Sequence, residues 1–265
     1  MIIVGEKING AIPRVADAIC NRDRGFIMSL VKQQEEQGAD YLDVCAGGEP
    51  GGEYDTLCWL IDVVQAAATK PICIDSPNPK VLARVLPHIE KPGLINSVSG
   101  EGEKCDILAP VLQSNPDWQV ITLACDNNGI AVTAEEKLRI AAGLIAYMGE
   151  NGISPERIYV DPLVLAISAV PTAALHFVEA SVRLKEMVPG IKIIAALSNV
   201  SYGMPARALV NRNFLTMAIC AGLDAVICDP LNRSITETIY AAEVLTNRDR
   251  HCRRYNSAYR AGKIG

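Results

Sequence analysis

Carboxylate and primary-amide side chains recur at the ends of short apolar runs along this chain. The positions just after these runs are Glu6 and Asn9, Asp43, Asp75, Asn96, Asp126 with Asn127 and Asn128, Asp161, Asn199, and Asp229. Basic residues are scarce among them, with Lys7 and Arg207 the exceptions. The set is therefore unlike a phosphate site or a Schiff-base lysine site.

The hydrogen-bonding capacity of these groups indicates what they bind. Carboxylate oxygens accept hydrogen bonds from paired N–H groups, and primary amides both donate and accept. The set suits a flat heterocycle that displays N–H donors beside a carbonyl, such as a pterin or a guanine-like ring. Two alternatives stay open: Asp and Asn after strands also cap helices and form turns, and several Asp can hold a hard cation, although no fixed spacing favours a metal.

The elements that position these residues are eight short apolar runs, each followed by an amphipathic segment. Near-continuous apolar runs are typical of strands buried on both faces, as in a parallel sheet covered by helices. The runs are Ile2 to Gly5, Tyr41 to Val44, Ile72 to Ile74, Gly93 to Ile95, Gln119 to Leu123, Ile158 to Val160, Ile191 to Leu197, and Ala225 to Cys228.

Helix start signals precede several of the amphipathic segments. Thr133 with Glu136, and Ser234 with Glu237, each have the spacing of a capping box. Asn78 followed by Pro79 predicts another helix start, because proline is favoured at the first helical position. The segments between the apolar runs are therefore predicted to be helices.

Eight strand–helix units in 265 residues predict a (β/α)8 TIM barrel, a fold of about 250 residues. We expect a single domain over residues 1–265, with a short basic C-terminal extension from about residue 248. A solvated tail is favoured for it over a docking site for an acidic partner. A doubly wound open sheet is the alternative. It would normally carry a Gly-rich phosphate loop, and the Gly47–Gly52 stretch fits neither common form of that loop.

Composition narrows the function classes. With 25 Lys+Arg against 30 Asp+Glu and a net charge of −5, the chain has no basic footprint for nucleic acid. The 49% apolar content excludes disorder, and no apolar stretch reaches the roughly 18 residues of a membrane helix. The 9 Cys show no zinc-finger spacing. We expect no metal site and, because no charged leader precedes the first apolar run, a reduced cytoplasmic protein.

Several segments in order along the chain resemble the pterin-binding methyltransferase family. Its members include methyltetrahydrofolate:corrinoid methyltransferases, the folate domain of cobalamin-dependent methionine synthase and, more remotely, dihydropteroate synthase. The resemblance extends from Ile2 to about Asn247, and it implies a (β/α)8 barrel. The segments are Gly5-Glu6-Lys7-Ile8-Asn9-Gly10, Ile74-Asp75-Ser76, Ile95-Asn96-Ser97, Tyr159-Val160-Asp161-Pro162-Leu163, and Leu197-Ser198-Asn199-Val200-Ser201 with Arg207 and Asn211-Arg212.

The resemblance implies roles for individual residues. Asp75, Asn96 and Asp161 are expected to hold the pyrimidine half of the pterin. Asn199 is expected to lie near N5, where the methyl group is exchanged, and to be the catalytic residue. Further substrate-binding candidates are Glu6, Asp43, Ser198 and Arg207. One departure concerns the second strand, where this chain has Cys45 and many members have Asn.

The implied activity is methyl exchange between N5 of tetrahydrofolate and the cobalt of a corrinoid. The D-x-H-x-x-G motif of corrinoid-binding domains is absent, so we expect a separate corrinoid protein to dock at the barrel, and the family resemblance implies a homodimer. Transfer from a methylated corrinoid protein to tetrahydrofolate in a demethylation system is favoured, with the reverse in acetyl-CoA synthesis open. The rival functions are a dihydropteroate synthase-like transferase and a non-catalytic folate-binding module.

Overall fold

The computed structural model describes residues 1–47 and 52–265. Most of the Gly47–Gly52 stretch lies outside the described residues. All eight predicted apolar runs form strands of a parallel sheet. The strands are β1 (Ile2–Asn9), β2 (Tyr41–Cys45), β3 (Ile72–Asp75), β4 (Leu94–Gly100), β5 (Gln119–Asp126), β6 (Gly129–Ile130), β7 (Ile158–Asp161), β8 (Lys192–Ala196) and β9 (Ala225–Cys228).

The strands close into a barrel. Each strand pairs in parallel with its neighbours in the order β4-β3-β2-β1-β9-β8-β7-β5, and the additional pairing of β4 with β5 completes the circle. The short β6 lies antiparallel to the end of β5 and forms a hairpin there. Eight parallel strands of the described chain thus form a (β/α)8 TIM barrel, as predicted, and the open-sheet alternative is excluded.

Helices surround the barrel on the outside. Two of them, α1 and α2, lie between the first two strands, and α10 follows the last helix of the regular pattern. The bounds are α1 (Pro13–Cys20), α2 (Arg24–Glu36), α3 (Glu53–Gln65), α4 (Pro79–Val85), α5 (Lys104–Ser114), α6 (Ala134–Glu150), α7 (Ala173–Met187), α8 (Arg207–Cys220), α9 (Arg233–Leu245) and α10 (Arg253–Arg260).

Local capping explains where several helices begin. The capping box of Thr133 and Glu136 is present at α6, and Asn78 caps α4 with Pro79 at its first position. The predicted box of Ser234 with Glu237 is wrong. Asn232 caps α9 instead, because its Oδ1 accepts hydrogen bonds from both the N–H and the hydroxyl of Ser234, so this hydroxyl is already engaged as a donor.

Two hydrophobic layers result from the alternation of side chains along each strand. The larger layer lies between strands and helices. The smaller one fills the barrel interior with Val4, Cys73, Leu94, Ile121, Tyr159, Ile194, Ala225 and Ile227. Because the side-chain period of a strand is two residues, the residue two positions beyond each interior side chain also points inward, at the carboxyl ends of the strands. We call this end of the barrel the mouth.

The basic C-terminal stretch is not a solvated tail throughout. Its helix α10 packs against α9, and Asp249 accepts hydrogen bonds from the N–H groups of Arg254 and Tyr255. Arg248 donates to the carbonyls of Ile219 and Leu223. The stretch thus packs through its backbone and through Arg248, while the basic residues Arg248, Arg250, Arg253, Arg254, Arg260 and Lys263 are exposed to solvent. Among residues 1–47 and 52–265, no helix is long and apolar enough to cross a membrane.

Candidate functional site

Strand register brings the predicted carboxylate and amide residues together at the mouth. Cys45, Asp75 and Asn96 are aligned across three neighbouring strands, Cys45 opposite Asp75 and Asp75 opposite Asn96. Asp75 and Asn96 each lie two positions beyond an interior residue of their strand, Cys73 and Leu94. Both side chains therefore point into the barrel at the mouth.

Asp43 lies deeper, on the floor of the mouth. It is 2% exposed and is aligned with Cys73 on the neighbouring strand. The Asn96 amide donates to Asp43 Oδ1 at 3.4 Å. Burial raises the pKa of the Asp43 carboxyl well above its ordinary value, and the nearby Asp75 and Glu6 raise it further. A protonated Asp43 is therefore favoured, and it can donate a hydrogen bond as well as accept one.

Asp75 and Asp161 are the two mouth carboxyls with intermediate acidity. Burial raises the pKa of Asp75 to about 6, although its hydrogen bond with Cys45 opposes the shift. Burial also raises the pKa of Asp161 to about 6. Hydrogen bonds from the N–H groups of Leu163 (2.7 Å) and Ala196 (3.4 Å) oppose that shift. Both groups are thus mostly ionised at pH 7 and mostly protonated at pH 5.

A bulge in β1 brings Glu6 and Lys7 to the mouth. Three residue steps from Gly5 to Ile8 on β1 face two steps on β2, from Leu42 to Val44, which adds one residue to β1. Lys7 Nζ lies 2.9 Å from Asp229 Oδ2. Burial and Asp229 raise the pKa of Glu6, while Lys7 and Arg207 lower it.

Asn199 lies in a 3-10 turn, Leu197–Ser201, that follows β8 directly. Its side chain is exposed. Arg207 stabilises this turn, donating to the Ser198 carbonyl at 2.6 Å and to Ser201 Oγ at 3.1 Å. The Ser198 backbone carbonyl thus helps to hold the turn that carries Asn199. Part of the Arg207 guanidinium binds this turn.

Some residues of the initial set are turn formers. Asp126 accepts a hydrogen bond from the Asn128 N–H and pairs with Arg139. Asn127 accepts from the Gly102 N–H, and Asn9 accepts from the Ala11 N–H. For Asn9 and Asp126–Asn128 the turn-forming alternative therefore accounts for the side chains, whereas Asp75, Asn96 and Asp161 face the mouth.

Sequence reasoning missed one residue near the site, Lys137 on α6. Its side chain is buried, and its ammonium lies beneath the segment that carries Asp161. In the sequence, Lys137 sits in the first turn of a helix after two glutamates, where a solvated lysine is the usual expectation. The Lys137 contacts depend on the loop after β7, for which the sequence offers no pattern.

Fold and site together define the class of protein: a (β/α)8 barrel with a mouth of buried and half-buried carboxyls, and amides beside them, suited to a flat ring with N–H donors. Residues 9–229 match the model of the family described as pterin binding enzyme. A methylcorrinoid:tetrahydrofolate methyltransferase from Eubacterium limosum is 44% identical over 266 residues, covering 100% of this chain and 98% of that protein. The chain belongs to the pterin-binding enzyme family.

More distant proteins share part or all of the barrel. A methionine synthase from Mycobacterium tuberculosis is 28% identical over 250 residues, covering 88% of this chain and 21% of that protein. A Coxiella burnetii dihydropteroate synthase in complex with pteroic acid superimposes with a TM-score of 0.68 at 15% identity, covering 94% of this chain and 93% of that chain. A Xanthomonas albilineans dihydropteroate synthase gives 0.69 at 17% identity, covering 94% and 92%. At such identities these two structures show the fold alone.

Proposed function

We propose that this chain transfers a methyl group from the cobalt of a corrinoid, carried by a separate protein, to N5 of tetrahydrofolate. The observation that carries this proposal is the 44% identity to a methylcorrinoid:tetrahydrofolate methyltransferase, covering 100% of this chain and 98% of that protein. The mouth supports it, because its carboxyls and amides match the hydrogen-bond donors of a pterin. The corrinoid supplies the cobalt centre that gives up the methyl group.

The pyrimidine half of the pterin is assigned to Asp75, Asn96 and Asp161. A pterin offers its 2-amino group and a ring N–H as donors and a carbonyl as acceptor. Asp75 and Asp161, with pKa values of about 6, are ionised at neutral pH and accept from the donors. The Asn96 amide adds a donor, and it is held by its hydrogen bond to Asp43. Binding then replaces water around two carboxylates by paired N–H groups.

The methyl-exchange end is assigned to Asn199. When N5 loses a methyl group in the reverse reaction, electron density develops on nitrogen. The Asn199 amide N–H stabilises that density most strongly in the transition state, which is the condition for a catalytic effect. The same contact acts in both directions by microscopic reversibility. Glu6 and Asp43 line the mouth below the ring, while Arg207 and Ser198 hold the turn that carries Asn199.

The corrinoid protein is assigned to the rim of the mouth beside Asn199. Two apolar side chains there are strongly exposed, Tyr202 at 72% and Leu209 at 52%. Exposed apolar surface next to a reaction centre is typical of a docking site.

We also propose a cytoplasmic homodimer. Exposed Leu175 and Val182, seven residues apart on one stripe of α7, support self-association, which sedimentation of the purified chain tests.

A methyl-transfer assay tests the proposal. Purified protein is mixed with methylcob(III)alamin and tetrahydrofolate, and in a second reaction with cob(I)alamin and methyltetrahydrofolate. We expect spectral conversion of the cobalamin and appearance or loss of methyltetrahydrofolate. A third reaction offers a pterin pyrophosphate and p-aminobenzoate. Pteroate formation there without methyl exchange would overturn the proposal in favour of a dihydropteroate synthase. Folate binding without exchange, with either free cobalamin or a corrinoid protein, would instead indicate a carrier.

A further inference from the structure

Lys137 is an unusual residue for the interior of this protein. Its side chain is only 1% exposed. Its Nζ donates to three backbone carbonyls, those of Ala131 at 2.7 Å, Pro162 at 2.8 Å and Leu163 at 2.7 Å. Two of these carbonyls belong to the residues that directly follow Asp161 at the end of β7. The buried ammonium therefore holds the segment that carries a mouth carboxylate.

The number of acceptors indicates the protonation state of Lys137. An ammonium has three N–H donors, and three carbonyls receive them. A buried charge is strongly unfavourable unless it is paired and hydrogen-bonded. Asp161 at the end of β7 and Glu136 on the same helix are the charged groups that favour the ammonium. Burial opposes them and lowers the pKa of Lys137 to about 8.

The turn that Lys137 holds is backbone-strained. Leu163 has φ of +58°, a left-handed conformation that is unfavourable for a non-glycine residue. Leu163 is bonded on both sides: its N–H donates to Asp161 Oδ1 at 2.7 Å, and its carbonyl accepts from Lys137. The two contacts together fix where the Asp161 carboxylate points. Without the ammonium, the hydrogen bond to the Leu163 carbonyl is lost, and only the bond from the Leu163 N–H to Asp161 remains.

We propose that Lys137 is a positioning residue for the pterin site, holding the Asp161–Leu163 turn and favouring the ionised form of Asp161 without touching the substrate. The proposal rests on the proposed function, in which Asp161 accepts N–H groups of the pterin. It predicts an effect on substrate binding that a merely stabilising lysine would not have. The effect is a change in the pH dependence of folate affinity.

A matched control exists in the same barrel. Lys185 on α7 also ties a backbone carbonyl, donating to Ile191 at 2.8 Å, and it pairs with Asp224 at 2.6 Å. Ile191 and Asp224 directly precede β8 and β9, at the end of the barrel opposite the mouth. Lys185→Met therefore removes a partly exposed lysine that ties a backbone carbonyl far from Asp161.

The experiment measures the dissociation constant of tetrahydrofolate from pH 5 to pH 9 by anaerobic calorimetry. The proteins are wild type, Lys137→Met, Lys137→Arg and Lys185→Met, each with its melting temperature. Wild type is expected to lose affinity as the pH falls through about 6. The Lys137 ammonium lowers the pKa of the Asp161 carboxyl, and it also holds Leu163, whose N–H lowers the same pKa. Lys137→Met removes the charge and loosens that hydrogen bond, so the acidic limb should move upward by up to about one pH unit, which weakens binding up to about fivefold at pH 6.

The controls separate positioning from stability. Lys185→Met should melt at a lower temperature than wild type and lose folate affinity over the same acidic pH range as wild type. Lys137→Arg should also keep the wild-type pH range, because it keeps the positive charge. Identical pH profiles for Lys137→Met and Lys185→Met would overturn the proposal. If Lys137→Met does not fold, Lys137→Gln replaces it, because an amide keeps N–H donors without the charge; a wild-type acidic limb in Lys137→Gln would overturn the proposal. A wild type that binds no tetrahydrofolate at all would instead refute the proposed function.

Discussion

Asn199 carries the sharpest prediction at the scale of single residues. In the proposed function its amide stabilises the charge that develops at N5, and replacement by Ala removes that amide. Loss of one preorganised donor at a reacting atom typically slows the chemical step by about 100- to 1,000-fold. The proposed pyrimidine contacts involve other residues, so the dissociation constant of tetrahydrofolate should change by less than about threefold. Single-turnover methyl transfer and calorimetric binding measure the two quantities separately.

A second asparagine provides the control for this comparison. Asn213 is exposed on α8, and its amide donates to the Leu209 carbonyl within its own helix. Asn213→Ala should leave both the rate of methyl transfer and folate affinity at wild-type values. Equal losses of rate and affinity in Asn199→Ala would place Asn199 among the binding residues and remove it from the reacting centre.

What the sequence could predict at the residue scale follows from strand alternation. Asp75, Asn96 and Asp161 end apolar runs, so one rule places all three at the mouth. Their proposed role in pterin binding stays a prediction. The hydrogen bond of Cys45 with Asp75 and the contacts of Lys137 were not predictable, because each depends on a neighbour distant in the sequence and on loop geometry that has no periodic pattern.

At the scale of elements, the bulge in β1 is the feature that positions Glu6 and Lys7. The Lys7 N–H donates to Gln34 Oε1 at 3.0 Å, and Gln34 is a fully buried residue of α2. The Gln34 side chain thus satisfies the Lys7 N–H, a backbone donor that the extra residue of the bulge takes out of register with the neighbouring strand. The sequence predicts β1 from its apolar residues, but it carries no signal for the bulge, because Gln34 reads as an ordinary polar helix residue.

Gly5 is predicted to be indispensable to this bulge. A Cβ at Gly5 would overlap the Gln34 side-chain oxygen and lie 3.4 Å from the Ala39 Cβ. Gly5→Ala should therefore lower the free energy of unfolding by about 1 to 3 kcal/mol, the usual cost of overpacking. It should also weaken folate binding, because Glu6 and Lys7 shift with the bulge. Urea denaturation and calorimetry measure the two effects.

A second glycine in the same chain should respond in the opposite direction. Gly143 lies inside α6, and a Cβ there would meet no described atom within 4 Å. Gly143→Ala should raise the free energy of unfolding by about 0.5 to 1 kcal/mol, because alanine loses less backbone entropy in a helix. If Gly5→Ala were as stable as Gly143→Ala, Gln34 would have room to move, and the bulge would not depend on Gly5.

At the scale of the whole molecule, the barrel itself was the most predictable property. Eight apolar runs separated by amphipathic segments fill the chain, and right-handed strand–helix units of that number close on themselves. The additions to this pattern were not predictable. Two helices follow β1, and α10 packs at the end of the chain. The packing of the C-terminal stretch depends on tertiary acceptors, such as the carbonyls that bind Arg248, and not on local periodicity.

The mouth also determines how the stability of the whole barrel depends on pH. Asp75 and Asp161 have folded-state pKa values of about 6, above the ordinary value of about 4. Between these values the folded chain binds more protons than the unfolded chain, so the free energy of unfolding falls as the pH rises. Asp43 and Glu6 act in the same direction. The ligand-free protein should therefore be more stable near pH 5 than at pH 7.

Carboxyls with lowered pKa values act in a separate range. Glu101 is stabilised by Lys104, and Glu136 by the N–H groups of Thr133 and Val132. Their contribution is complete above the ordinary pKa of about 4.3 and is lost only as the pH falls below it. They do not offset the mouth carboxyls between pH 5 and pH 7. When both groups of carboxyls are counted, the free energy of unfolding is expected to be largest near pH 5.

Asp75→Asn tests this linkage. The amide cannot ionise, so at pH 7 the ligand-free variant should gain about 1 to 2 kcal/mol in free energy of unfolding, a value reduced for the partial exposure of Asp75. It should lose folate affinity at the same time, because a carboxylate acceptor is gone. Asp126→Asn is the control: hydrogen bonds from Asn128 and Arg139 lower the pKa of Asp126, so its loss should bring no gain. Urea denaturation at pH 5 and pH 7 decides. If Asp75→Asn were instead less stable than wild type at pH 7, ionised Asp75 would stabilise the ligand-free barrel. The mouth carboxyls would then not lower the free energy of unfolding at neutral pH.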